Sequence, residues 1–477
     1  MNEDPAAIVD LGEALRACGY TSEAVRRLLA LESPFGFSPR ELPLYLRLAG
    51  AESSVGALVR LFLLGAPVAR DALPPLPIER LAAAGVLAED GDKVRALVEI
   101  APADDVLLAY DRSQAVPGSA DQVLGFSLPT RTLGRLPARA PIEAALDLGA
   151  GSGYQALLAA RHARRVVATD VNPRALDFAR FNALLNGAEG IELREGDLLE
   201  PAAGERFDLV VSNPPHVISP DTDFVFRDSA LQGDSLAEGL VRGLPGVLAE
   251  GGFAHVLLSW AHAPDEEPGA PVTRWLEGSG CDALVLHYAS YDPVAYAAGW
   301  NRPLRFDAAA YAAALDRWCD YYRRLGIEAL AEGVAVIRRR GDGGAIRART
   351  ISPAPEEIGP AGEHVLRLFG AFDLLAGDDL LERRLALAPD HRFEQTGPVD
   401  GSRPPTTVLR LEDGLRFQVE LDEGLVRLLS QLGQPRRLGE AVAAVAAQAE
   451  GASPEEVAAA FLPQVHRLVE LGFLAAA

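Results

Sequence analysis

The stretch Leu146-Asp147-Leu148-Gly149-Ala150-Gly151-Ser152-Gly153 decides how the middle of this chain folds. The apolar run AALDL carries an acidic residue near its end, a glycine-rich turn follows, and YQALLAARHA then reads as a helix. Glycines at 149, 151 and 153 let the backbone turn sharply and approach a ligand closely. Strand, glycine turn and helix in that order place the turn at the carboxyl edge of a parallel sheet, beside a helix N-terminus, where such sheets bind ligands.

Outward from that stretch the pattern repeats. RVVATDV, FDLVVSN and FAHVLLSW are short, nearly continuous apolar runs separated by helical stretches. This predicts an α/β fold, a parallel sheet with helices on both faces. Asp170 sits at the end of the second strand, where a carboxylate accepts hydrogen bonds from ribose hydroxyls. The alternative for Asp170 is to cap the helix that begins at Pro173. Asp197, in LREGDLLEP after the third strand, faces either an adenine amine or only a turn. Asn213-Pro214-Pro215 follows the fourth strand. Two prolines fix the backbone there and leave carbonyls free of strand pairing. The Asn213 side-chain oxygen and the Pro214 carbonyl can then accept two hydrogen bonds from a substrate NH₂.

A chain of 477 residues is too long for one ordinary core. Residues 1–112 read mostly as helices followed by a hairpin turning at Asp90-Gly91-Asp92. That order suggests a winged-helix-like module: a reader of DNA or peptide, or a substrate lid or dimer surface. Residues 113–347 carry the strand–helix alternation. RRRGDGGAIRARTISPAPEEIGPAG reads as a strand exit and linker. Residues 348–477 form a third, winged-helix-like unit whose last helix starts at Ser453, with Glu456 completing a capping box.

The formal net charge is −22 and Lys93 is the only lysine. Such a surface repels phosphate backbones, so nucleic acid is disfavoured as a partner. Cys18, Cys281 and Cys319 lie far apart and make no disulfide framework, and the histidines show no metal-ligand spacing. No metal is expected. The first residues lack a signal pattern and no apolar run is long enough to span a bilayer, so the expected location is the cytoplasm.

The four motifs, in this order and spacing, resemble the class I S-adenosylmethionine (SAM)-dependent methyltransferases. The Asn-Pro-Pro form is similar to the subgroup that methylates amide or exocyclic amine nitrogens, which includes release-factor glutamine, ribosomal-RNA guanine and DNA adenine methyltransferases. The segment DQVLGFSLPTRTLGRL resembles the piece that precedes their glycine loop and closes over the cofactor. The resemblance implies that Asp147, Gly149, Gly151 and Asp170 hold SAM and that Asp197 meets its adenine. It brings Thr130 or Thr132 near the methionine end. Asn213 and Pro214 would orient the nucleophile, its lone pair aimed at the sulfonium methyl. The subgroup carries Tyr or Phe after the prolines; here stands His216, which can stack or act as a base. That departure speaks against a planar base or a glutamine amide and leaves room for a small-molecule amine, hydroxyl or carboxylate. The reading is methyl transfer to a nitrogen or oxygen of a small molecule or of a protein or peptide side chain. Pro215, with Arg227 and Asp228 on the loop after the motif, would face the substrate. The rivals are a nucleic-acid base methyltransferase, a non-methylating use of SAM, and an NAD(P)-dependent oxidoreductase, in which Asn213-Pro214-Pro215 would have no task.

Overall fold

The computed structural model describes residues 4–31, 38–50, 52–112, 120–222, 231–341, 346–377, 379–397, 405–448 and 453–477. They form two compact units, one of residues 1–134, 140–281 and 289–346 and the other of 135–139, 282–288 and 347–477. Arg227 and Asp228 lie outside the described residues.

The first unit opens with helices α1 (Pro5–Ala17), α2 (Ser22–Leu28), α3 (Leu42–Ala49), α4 (Ser54–Leu58) and α5 (Ile78–Ala83). Strands β1 (Val68–Ala69), β2 (Leu87–Asp90) and β3 (Lys93–Ala96) make a small sheet in the order β1-β3-β2. The β2–β3 hairpin turns where Asp90-Gly91-Asp92 predicted it, with Gly91 at φ 61°. A second hairpin follows, β4 (Val98–Ala103) with β5 (Val106–Asp111). The helical part shares its core with the rest of the unit: Leu11, Leu15, Phe62 and Leu81 pack in one apolar cluster with Phe178, Phe181 and Leu185 from further along the chain. Gly12 is required there, because a Cβ would lie 2.0 Å from the Leu185 carbonyl oxygen.

The strand–helix alternation then runs as expected. After α6 (Leu128–Arg135) come β6 (Ile142–Leu148), α7 (Tyr154–Ala159), β7 (Ala163–Asp170), α8 (Pro173–Asn186), β8 (Ile191–Glu195), β9 (Phe207–Ser212) and β10 (Leu248–His262). Strands β10, β9, β6, β7 and β8 are neighbours in that order and all run parallel. Register opposes Leu148 to both Ser212 and Thr169, and Asp170 to Glu195. One edge of the sheet therefore receives the glycine loop, Asp170, Asp197 and Asn213 together.

Two segments depart from the sequence reading. The strand Ala329–Arg339 pairs with β10 antiparallel, His262 opposite Ala329. The helix before it, Ala308–Leu325, is tied to the carboxyl edge through Tyr322, whose hydroxyl donates to the Ile218 carbonyl, so the chain enters its strand from that edge and runs back. In the second unit, Arg347–Ile351 is a strand paired with residues 282–286 and not part of a linker. Its Arg and Gly composition hid this: Arg347 makes a bidentate pair with Asp282, a carboxylate with no exposed surface.

The second unit packs the helices Gly362–Leu374, Glu423–Ser430, Leu438–Ala446 and Pro454–Glu470 with two three-stranded sheets around one leucine-rich core. The capping box at Ser453 and Glu456 is formed as predicted.

Candidate active site

A cleft of about 430 Å³ opens at the carboxyl edge of β6, β7, β8 and β9, within the size range of small-molecule sites. Asp147, Gly149, Gly151, Asp170, Asp197, Asn213, Pro214, Pro215 and Thr130 all line it. Thr132 is buried elsewhere and His216 is not among the lining residues. Thr130 and Thr132 sit two positions apart on α6, about 200° around a helix, so only one of them can face a given side.

The glycine loop is shaped from within. Gly149, Gly151 and Gly153 have φ of 69°, 52° and 82°. A Cβ on Gly149 or Gly151 would meet no protein atom within 4 Å, so their backbone borders open space. At Gly153 packing matters too, since a Cβ there would approach Ala179 to 3.1 Å. The amides of Gly149 and Ala150 both donate to the Thr169 carbonyl at 2.9 Å, and Gly151 N donates to Asp170 Oδ2 at 2.9 Å. These three donors are spent inside the protein and do not face an anion. No Lys, Arg or His lines the cleft among the described residues, whereas three carboxylates do. Such a lining suits a cation with ribose hydroxyls and disfavours the pyrophosphate of a nicotinamide dinucleotide.

Asp147 is buried and its Oδ2 accepts from Ala156 N at 2.8 Å. Burial, with the charge of Asp170 adding to it, pushes its carboxyl up to about 7. Asp170 Oδ1 accepts from Asn172 N at 2.8 Å, and burial raises its carboxyl as well. Asp170 does not cap α8; Asn172 does, accepting from Arg174 N at 3.0 Å. Val171 and Leu124 are large apolar side chains 51% and 49% exposed, both on the cleft, a surface ready for a flat ring.

The acceptor side is built from β9. Ser212 is buried and its hydroxyl donates to the Leu148 carbonyl at 2.8 Å, tying β9 to β6 just before the two loops. His216 Nδ1 lies 3.0 Å from the Pro214 carbonyl, so Nδ1 carries the proton, and burial lowers the ring's pKa. Its ring meets the edge of Trp300, with centroids 6.5 Å apart. Most of the aromatic segment around Trp300 serves packing: Tyr296 joins Trp318 and Tyr322 in a cluster over Val217 and Ile218. Sequence reasoning missed Gln155, which lines the cleft and donates to the Thr130 carbonyl at 2.9 Å. Its position two residues past Gly153, in the first turn of α7, was the available signal. Ser127, Leu124 and Thr222 were also missed as lining residues.

A family model described as a methyltransferase small domain matches residues 131–251. Two domain families of unknown function match residues 17–97 and 373–476. The chain is 39% identical over 151 residues to the release factor glutamine methyltransferase of Xylella fastidiosa, covering 29% of this chain and 53% of the relative. It is 34% identical over 128 residues to the arsenite methyltransferase of Halobacterium salinarum, covering 26% and 32%. It is 42% identical over 79 residues to the ribosomal protein uL3 glutamine methyltransferase of Bradyrhizobium diazoefficiens, covering 16% and 25%. The chain thus spans about half, or less, of the length of these curated relatives. With the glycine loop, the acidic strand ends and Asn213 on one sheet edge, the matched segment identifies this chain as the carrier of a class I SAM-dependent methyltransferase domain.

Proposed function

We propose that this protein methylates a side-chain nitrogen of a protein or peptide, an amide nitrogen before others, using SAM as donor. The observation that carries the reading is the placement of Asn213-Pro214 and the glycine loop in one cleft, at adjacent strand ends clamped by Ser212 and Leu148. Similarity to glutamine methyltransferases over part of the chain supports the acceptor class.

SAM fits the residues present: carboxylates at Asp147 and Asp170 for a cation and for ribose hydroxyls, Asp197 for the adenine amine, Val171 and Leu124 for the ring, and open space over Gly149 and Gly151. When bound, SAM supplies an activated methyl group. The chain's own task is to present the acceptor nitrogen. The Asn213 carboxamide oxygen and one lone pair of the Pro214 carbonyl accept its two N–H bonds, which draws electron density onto a weakly nucleophilic amide and fixes its direction. His216 occupies the other lone pair of Pro214 and so holds that carbonyl; we assign it orientation of the loop and not proton removal. Among the described residues, none beside Asn213 on the cleft is a strong base, and the proton lost after transfer leaves to solvent.

The test is calorimetry with S-adenosylhomocysteine, followed by labelled-methyl transfer from SAM to a panel of glutamine-containing peptides, free amines and carboxylates. Binding with transfer to peptides supports the reading. Transfer to a small amine or a carboxylate alone overturns the acceptor class.

A further inference from the structure

The N-terminal hairpin β4–β5 is bonded to the cofactor cleft at several points. Among the described residues, strand β5 pairs with β4 along one edge. On its other edge, alternate residues find partners on α8. Asn186 Oδ1 accepts from Leu107 N at 2.9 Å and its Nδ2 donates to Leu107 O at 2.7 Å. Asn182 Oδ1 accepts from Ala109 N at 2.7 Å and its Nδ2 donates to Ala109 O at 2.9 Å. The spacings match: four residues of helix rise about 6 Å, close to the ~6.6 Å between alternate residues of a strand. Two asparagine side chains one helical turn apart therefore act as the missing neighbour strand.

Asn182 does one thing that Asn186 does not. Its second amide hydrogen donates to the Ser152 carbonyl, inside the glycine loop, at 2.8 Å. Asn182 has no exposed surface, and both its amide hydrogens and its side-chain oxygen are engaged between the hairpin and the loop. The same hairpin also grips the opposite wall. Asp111 Oδ2 accepts from Val123 N at 2.9 Å, and Val123 lines the cleft. The Tyr110 ring fills the place a Cβ on Gly125 would take. At the hairpin turn, Asp104 Oδ2 accepts from the Tyr154 hydroxyl at 3.1 Å.

We infer that Asn182 is a positioning residue for the cofactor loop, and that hairpin 98–111 is a structural part of the cofactor site although it lies outside the matched methyltransferase segment. The inference rests on the cofactor reading of the cleft. It makes the N-terminal module necessary for donor binding: whatever loosens the hairpin loosens the loop.

The experiment compares Asn182→Asp with Asn186→Asp in the full-length chain. Each loses its donor to β5, so both lower the thermal midpoint; only Asn182→Asp also loses the bond to Ser152. S-adenosylhomocysteine affinity should fall about tenfold in Asn182→Asp and less than about threefold in Asn186→Asp. In a transfer assay, Asn182→Asp should raise KM for SAM and leave kcat within about threefold. Should Asn182→Asp fail to fold, hydrogen exchange on the unaltered chain decides: S-adenosylhomocysteine should slow exchange at the Ala109 amide. Equal affinity losses in the two variants, or unchanged Ala109 exchange on binding, would overturn the inference. Failure of the unaltered chain to bind would instead overturn the cofactor reading beneath it.

Discussion

Ser212 and Leu148 end adjacent parallel strands, and the Ser212 hydroxyl donates to the Leu148 carbonyl at 2.8 Å. One residue further along each strand the chain enters Asn213 on one side and Gly149 on the other. The bond therefore fixes the distance between the loop that would present the acceptor and the loop that would hold the donor. Ser212→Ala should cost about 1 kcal/mol of stability, the ordinary value of one buried hydrogen bond. It should lower kcat by more than it weakens S-adenosylhomocysteine binding, because the residues proposed to hold the donor lie on the β6 side. Denaturation and calorimetry on the same preparation check this. A change confined to affinity would show that the strands are held in register without the serine.

Asp170 bridges two amides, Gly151 N and Asn172 N, and faces the cleft. Asp170→Ala should weaken S-adenosylhomocysteine by about 1–3 kcal/mol through lost bonds to the ribose hydroxyls and a loosened glycine loop. Calorimetry measures it. Unchanged affinity would mean that Asp170 is a loop brace only.

The Asp147 carboxyl, pushed up to about 7 by burial and by Asp170, gives donor binding a pH dependence with a definite sign. Because its folded pKa is raised, Asp147 contributes stability at acid pH that is lost as pH rises through about 7. A bound cation reverses that cost by favouring the carboxylate. Affinity for SAM should therefore rise with pH up to about 7, with proton release on binding below it. S-adenosylhomocysteine, lacking the sulfonium charge, should respond less. Asp147→Asn should flatten the profile; titrations in buffers of different ionisation enthalpy read the proton count. Proton uptake on binding would contradict the assignment.

His364 in the second unit sets an acid limit to stability. Its Nε2 lies 2.8 Å from the Leu471 carbonyl, which fixes the proton there, and its Nδ1 accepts from Leu415 N at 3.2 Å. Burial lowers its pKa to about 4 from an ordinary 6.5. The unfolded chain therefore takes up a proton between pH 6.5 and 4 that the folded unit does not. Stability is full above 6.5 and falls as pH drops toward 4, by about 3 kcal/mol at most. His364→Gln should lower stability at neutral pH and flatten the fall. Calorimetric scans from pH 7 to 4.5 compare the two; parallel curves would exclude His364 as the titrating group.

The parts of the site that were legible in the sequence are those set by local chemistry. Glycines at positive φ, an acidic residue at a strand end and two prolines after a strand each announce their backbone without a distant partner. What stayed hidden depends on tertiary neighbours. Asn182 and Asn186 look like ordinary helix residues until β5 lies against them. Asp282 explains Arg347 only once the two strands pair. The choice between Thr130 and Thr132 turned on which side of α6 faces the cleft, which alternation along the sequence did not reveal. His216 is a mixed case: its hydrogen-bond partner is the carbonyl two residues back, but the Trp300 ring beside it comes from far along the chain.

The most direct test of the account is the mass of an acceptor after incubation with SAM. A glutamine-containing protein or peptide taken from the transfer screen is digested and the methyl group located by fragmentation, for the unaltered chain and for Asn213→Ala. The account predicts one added methyl on a side-chain amide nitrogen. With Asn213→Ala it predicts transfer slowed by about 10²-fold or more, as for loss of a transition-state hydrogen-bond partner, with S-adenosylhomocysteine affinity unchanged within about threefold. A methyl group on oxygen, or an undiminished rate in Asn213→Ala, would contradict it.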